Sequence, residues 1–133
     1  MKVLVVEDDF VSRRVLQAMF EKSADVDVAE DGKVALERIR KSYASGTGYD
    51  LVTLDIMLPE VDGYEVLKEL RRLEETPRVG SNQAAKVIAT SALSDGKAIL
   101  KAFRNQAEAY LIKPIGRADL NDKLEELGFE IRV

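Results

Sequence analysis

Five short runs of β-prone residues alternate with five stretches in which apolar residues recur every three or four positions. The runs are Val3-Leu4-Val5-Val6, Val26-Asp27-Val28-Ala29, Leu51-Val52-Thr53-Leu54, Val87-Ile88-Ala89-Thr90 and Ala109-Tyr110-Leu111-Ile112. Four are apolar or small almost throughout, as in strands covered on both faces, whereas the second alternates like an edge strand. The helical stripes are Val15, Leu16, Met19 and Phe20; Val34, Ala35 and Ile39; Val66, Leu67, Leu70 and Leu73; Ile99, Ala102 and Phe103; and Leu120, Leu124 and Leu127. Asp31 and Asp95 stand where N-caps belong, and Gly128 follows the last stripe as a helix-ending glycine does. Strict alternation with right-handed crossovers predicts an open α/β sandwich of the (βα)5 kind around a parallel sheet. One connection departs from the pattern. Glu74 to Lys86 holds Pro77, Gly80, Ser81 and Asn82 without a stripe and reads as a long surface loop.

Composition narrows the chemistry. At 133 residues the chain can bury one core without a disulfide or structural metal. It has no Cys and no His, which excludes thiolate zinc, redox pairs, thiol nucleophiles and His-based triads. A bound metal must then sit among oxygens, which selects a hard cation. The net charge of −4 offers no basic footprint for nucleic acid. No apolar run approaches the ~20 residues that span a bilayer, and no leader precedes the first strand, so a cytoplasmic location is expected.

Ligands of open parallel α/β sheets bind beyond the carboxyl ends of the strands. Those ends carry Glu7, Asp8 and Asp9 after the first strand, Asp55 after the third, Thr90 and Ser91 after the fourth, and Lys113-Pro114 after the fifth. If the first and third strands are neighbours, a spacing of about 4.8 Å brings the acids of both into one pocket. Two carboxylates 4 to 5 Å apart repel by roughly 3–4 kcal/mol at an effective dielectric near 20. Such a pocket raises a pKa or binds a cation, and magnesium suits an all-oxygen donor set. Lys113 can hold a phosphate and Ser91 can donate a hydroxyl, so the set suits phosphoryl transfer to Asp55, giving an acyl phosphate. Each group also has a plainer reading: the acids as complements of a helix N-terminus, with Asp9 near the first helix; Asp55 as a cap; Ser91 as a local backbone partner; Lys113-Pro114 as a strand exit; Tyr110 as core.

Five motifs carry a resemblance that covers nearly the whole chain. They are Val5-Val6-Glu7-Asp8-Asp9; Glu30-Asp31-Gly32; Leu54-Asp55-Ile56-Met57-Leu58-Pro59 followed by Asp62-Gly63; Ser91-Ala92; and Tyr110-Leu111-Ile112-Lys113-Pro114. In this order and spacing the chain resembles the receiver domain of two-component response regulators, close to the single-domain chemotaxis type. The resemblance implies a flavodoxin-like, doubly wound five-stranded sheet of order 2-1-3-4-5, with Asp55 as the phosphate acceptor. It implies Mg2+ held by Asp8 directly, Glu7 through water, Asp55, and the backbone carbonyl of Met57. Ser91, preferred over Thr90 because it precedes the small Ala92, becomes the hydroxyl that moves toward the phosphoryl group. Lys113 becomes its counter-ion, in a cis Lys113–Pro114 unit, and Tyr110 the aromatic that turns inward with Ser91.

On this likeness, the expectation is one receiver domain over residues 1–133, without an output domain. It would catalyse only its own phosphotransfer and dephosphorylation, and would not turn over an external substrate. The expected donor is a sensor histidine kinase or a histidine phosphotransfer protein. Output passes to a downstream protein through the fourth helix, fifth strand and fifth helix, with the chain a monomer or a phosphorylation-linked dimer. Two departures stand out. The Glu74 to Lys86 connection is long for the family. Met57 and Leu93, which in the family flank the path of hydrolytic water, are apolar here, so a long-lived phosphorylated state is expected. Rival readings are an Asp-nucleophile phosphohydrolase, which wants a second Asp where Met57 stands; a phosphorylation-independent module, which usually loses one of the acids or the lysine; and a nucleotide or flavin binder, which wants a glycine-rich first turn.

Overall fold

The computed structural model describes residues 1–75 and 84–133. Along the chain run β1 (Lys2–Val6), α1 (Phe10–Glu21), β2 (Asp25–Ala29), α2 (Gly32–Ala44), β3 (Leu51–Asp55), α3 (Gly63–Glu74), β4 (Lys86–Ser91), α4 (Gly96–Arg104), β5 (Ala109–Ile112) and α5 (Arg117–Glu126). All strand pairs are parallel and the sheet order is β2-β1-β3-β4-β5, the flavodoxin-like arrangement expected from the motifs.

Alternation within the strands feeds two cores, because successive side chains leave a strand on opposite faces. Leu4, Val52, Leu54 and Val87 meet Ile39 of α2 and Leu67 of α3 on one side. Val3, Val5, Leu51 and Ile88 meet Phe20 of α1 and Leu124 of α5 on the other. This explains the nearly continuous apolar runs in the inner strands. β2 is an edge strand, as its alternation predicts. β5 forms the opposite edge, and its Ile112 is 47% exposed, contrary to the expectation of cover on both faces.

Four of the five helices start on a capping aspartate, whereas α5 starts at Gly116 without a side-chain cap. Asp9, Asp31, Asp62 and Asp95 each accept a backbone hydrogen bond from three residues on: Ser12 at 2.8 Å, Val34 at 2.8 Å, Glu65 at 3.0 Å and Ala98 at 3.2 Å. Gly128 follows α5 in the left-handed region at φ 88°. Two stripe assignments need correction. Val15 of α1 and Phe103 of α4 are each 44% exposed, because α1 turns inward on Leu16 and Phe20 and α4 fully buries only Ala102. The expected Glu74 to Lys86 loop begins on the last residue of α3 and ends on the first of β4. Its residues 76–83 lie outside the described residues.

Candidate functional site

β1 ends at Val6, and the next amide, that of Glu7, donates to the Ala29 carbonyl at 3.0 Å. Glu7 is thereby drawn into the sheet end and fully buried. β3 continues to Asp55, which lies beside Thr90 of β4 and is 2% exposed. The 2-1-3-4-5 order makes β1 and β3 neighbours, and oxygens of Glu7, Asp8 and Asp55 come within 4.8 Å of one another. From the far side of β4, the Lys113 ammonium reaches in, 2.5 Å from Glu7 Oε1 and 2.9 Å from Asp55 Oδ2. The remaining carboxylate oxygens are held by the turns themselves: Met57 N–H donates to Asp55 Oδ1 at 2.9 Å and Asp9 N–H to Glu7 Oε2 at 3.1 Å.

Three carboxylates against one ammonium leave the pocket electrostatically unfinished. Burial pushes the Glu7 carboxyl up to about 7; Lys113 and the Asp9 amide oppose that rise, and Asp55 adds to it. Burial also pulls Lys113 down, but its contacts with Glu7 and Asp55 outweigh this and hold it above the ordinary lysine value. Glu7 Oε1 is buried and, despite the nearby ammonium, accepts no well-angled hydrogen bond. A buried carboxylate oxygen with an ammonium neighbour but no well-angled hydrogen bond, in an all-oxygen set, fits a hard divalent cation.

The other predicted residues gather at the same rim. Ser91 is fully buried, and its Oγ accepts from the Leu93 amide at 3.0 Å. Its hydroxyl here serves the local backbone, the plainer of the two readings. Tyr110 donates its hydroxyl to the Leu93 carbonyl at 2.8 Å, so Ser91 and Tyr110 hold the two polar sides of one residue in the β4–α4 loop. Lys113 N–H donates to the Ser91 carbonyl at 2.8 Å, and the Lys113–Pro114 bond is cis. Met57 and Asp8 line a groove of about 540 Å³ that also includes Tyr64 and Lys101. On the other flank, Val11, Val15, Leu16, Pro114 and Ile115 form an apolar cleft of about 230 Å³ leading to Glu7 and Lys113.

Two supporting residues escaped the reading of the sequence. A Cβ on Gly63 would stand 2.5 Å from the Asp55 carbonyl oxygen and 2.6 Å from Ile56 Cα, so α3 starts directly against the end of β3. The Asp62-Gly63 pair signals a helix start but not this contact. Arg13 of α1 donates from Nη1 to the Glu7 carbonyl at 3.0 Å and reaches the Asp8 carbonyl at 3.4 Å. No spacing rule singles it out from its neighbour Arg14.

Comparison with known proteins agrees with this geometry. The response regulator receiver domain family matches residues 3–125. Hybrid signal transduction histidine kinase L of Dictyostelium discoideum is 34% identical over an alignment of 131 residues that covers 96% of this chain but 7% of that protein. Chemotaxis protein CheY of Treponema pallidum is 32% identical over 125 residues, 92% of this chain and 79% of that protein. A chain in the co-crystal structure of the Saccharomyces cerevisiae histidine phosphotransfer protein Ypd1 and the receiver domain of its downstream response regulator Ssk1 superposes with a TM-score of 0.83 at 26% identity. That match covers 96% of this chain and 88% of the other. Among the described residues, no helix is long and apolar enough to cross a membrane. The chain belongs to the response regulator receiver domain family, the regulatory signalling domains of two-component systems.

Proposed function

We propose that Asp55 accepts a phosphoryl group from a phosphohistidine on a sensor kinase or histidine phosphotransfer protein, and that the modification switches the α4-β5-α5 face for a downstream protein. The convergence of Glu7, Asp8, Asp55 and Lys113 at one sheet edge carries this reading. Asp55 Oδ1 accepts from the Met57 amide and Oδ2 from Lys113, each at 2.9 Å, and one of these two oxygens is the nucleophile. It forms a bond to phosphorus while the phosphorus–nitrogen bond breaks, and the leaving imidazole takes the electron pair and then a proton from water. Lys113 then holds the transferred group, and Ser91 exchanges its Leu93 contact for a phosphoryl oxygen. Glu7, Asp8, Asp55 and the Met57 carbonyl are the residues that would hold magnesium, which neutralises and orients the phosphoryl oxygens when bound.

The donor must cover the pocket mouth. Phe10, Val11 and Val15 are 65%, 66% and 44% exposed beside the apolar cleft, and the Ypd1 co-crystal relative supports a phosphotransfer protein as donor. On the output face, Leu100, Phe103 and Ile112 are exposed apolar residues suited to a protein target or to a phosphorylation-linked second copy.

The test is incubation with acetyl phosphate and magnesium chloride, followed by intact mass. Wild type should gain one phosphoryl group and Asp55→Asn none; an unmodified wild type overturns the proposal. Steady release of inorganic phosphate from many substrates points instead to a hydrolase. The phosphorylated state should also be slow to decay, because Met57 and Leu93 are exposed and apolar and cannot orient a water. Met57→Asn with Leu93→Glu should speed its loss at least about tenfold, and an unchanged rate counts against a water-limited lifetime.

A further inference from the structure

We propose that Arg13 is a positioning residue for the acidic pocket, holding the backbone of Glu7 and Asp8 so that their carboxylates converge on a divalent cation. The inference rests on the magnesium reading above. The last sheet bond on this segment is the one from the Glu7 amide to Ala29. Beyond it, the chain has left β1 and has not yet entered α1, so the Glu7 and Asp8 carbonyls find no strand partner. The Glu7 carbonyl is held at a part-buried position, where a backbone oxygen needs a donor, while Asp8 is exposed. Arg13, in the first turn of α1, folds back to supply one from a single Nη1, at 3.0 Å and 3.4 Å.

The neighbours fix this hand. The guanidinium carbon lies 5.5 Å from the Phe10 ring centroid, which limits the plane of the fork. The Arg13 amide donates to the Asp9 carbonyl at 2.9 Å as part of α1, and the Asp9 carboxylate caps the same helix through Ser12. Side chain and helix start thus clamp three successive residues, two of which carry pocket acids. Turning either carbonyl rotates the adjoining peptide plane and redirects the carboxylate. Arg14, next in the chain, has the same charge, is exposed and makes none of these contacts.

Charge and position predict opposite signs. Arg13 is a cation beside a cation site, so by Coulomb's law alone its removal should strengthen divalent binding. A positioning role predicts weaker binding, roughly tenfold, the usual scale for groups that orient metal ligands. The experiment is calorimetric titration of magnesium chloride into wild type, Arg13→Ala, Arg13→Lys and Arg14→Ala, with thermal melts in chelator to establish that each variant is folded. Arg13→Lys keeps the charge and loses the planar fork, so it too should bind more weakly. Arg14→Ala should bind as wild type or slightly tighter. A Kd for Arg13→Ala and Arg13→Lys equal to or below that of wild type overturns the inference while leaving the magnesium reading standing. A wild type that takes up no magnesium overturns both. If Arg13→Ala does not fold, Arg13→Lys decides alone.

Discussion

Gly63 shows how little room the pocket leaves. A methyl group there would meet the Asp55 carbonyl and Ile56 Cα, backbone atoms that cannot swing aside as a flexible side chain would. Gly63→Ala should therefore cost about 1–3 kcal/mol of stability by urea denaturation, and phosphorylation by acetyl phosphate should slow as Asp55 shifts. Wild-type stability and rate in that variant would mean that α3 can retreat freely. Tyr43 and Tyr49 yield a pH prediction. Burial raises the pKa of each, reinforced by Glu74 for Tyr43 and by Asp27 for Tyr49. Since the unfolded value is near ~10, the folded state retains the protons longer. Their contribution is complete below that value and is lost as pH rises through the folded pKa values. Tyrosinate absorbance should accordingly show these two of the four tyrosines ionising only as the fold is lost, a component absent from Tyr43→Phe with Tyr49→Phe. The residues of the pocket were legible in the sequence because acids and a lysine at strand ends have few other uses in combination. Gly63 and Arg13 were not, since one acts by lacking atoms and the other through backbone oxygens.

Among the elements, the ends of β4 and β5 depend on α3 through Arg71. Its guanidinium donates to Glu74 at 2.7 Å, to the Ala85 carbonyl at 2.8 Å, to the Gln106 carbonyl at 2.6 Å and to both Glu108 oxygens at 2.8 Å. Glu74 in turn accepts from the Tyr43 hydroxyl of α2 and from the Ala85 amide. Arg71→Ala leaves the part-buried Glu74 and Glu108 carboxylates without their shared cation and should cost about 3 kcal/mol. Arg72 pairs with Glu69 in the open, so Arg72→Ala should leave the urea midpoint essentially unmoved. Equal effects of the two variants would refute the difference in burial as the cause. Periodicity found every helix, since a buried stripe of three or four residues is a local signal. It misjudged Val15 and Phe103 because a stripe does not say how wide a helix's buried face is. That width depends on the neighbouring element, and α4 packs shallowly with only Ala102 fully enclosed.

In the molecule as a whole, the Asp55 pocket and the α4-β5-α5 face meet at the β4–α4 loop. Leu93 is bound by Ser91 on one side and by Tyr110 on the other. If Ser91 turns to a phosphoryl group, one hold on Leu93 is released and Tyr110 can follow, which biases a two-state surface rather than bending a continuous one. Amide resonances of Phe103, Tyr110 and Ile112 should then move on phosphorylation of wild type. In Tyr110→Ala the mass gain should persist while the α4 resonances move far less. Shifts confined to the pocket in wild type would sink this coupling.

The order of strands and helices, the presence of two apolar faces and the inventory of chemical groups are all written in the linear pattern, because periodicity, capping and composition are properties of neighbours along the chain. That Glu7 is buried without a well-angled partner for one oxygen, that Lys113 rather than solvent faces Asp55, and that Ser91 is engaged with Leu93 emerged only once the sheet had closed. These depend on which strands lie side by side and on how deeply each rim residue is covered. Such distances are set by packing between segments remote in sequence, and no local rule contains them.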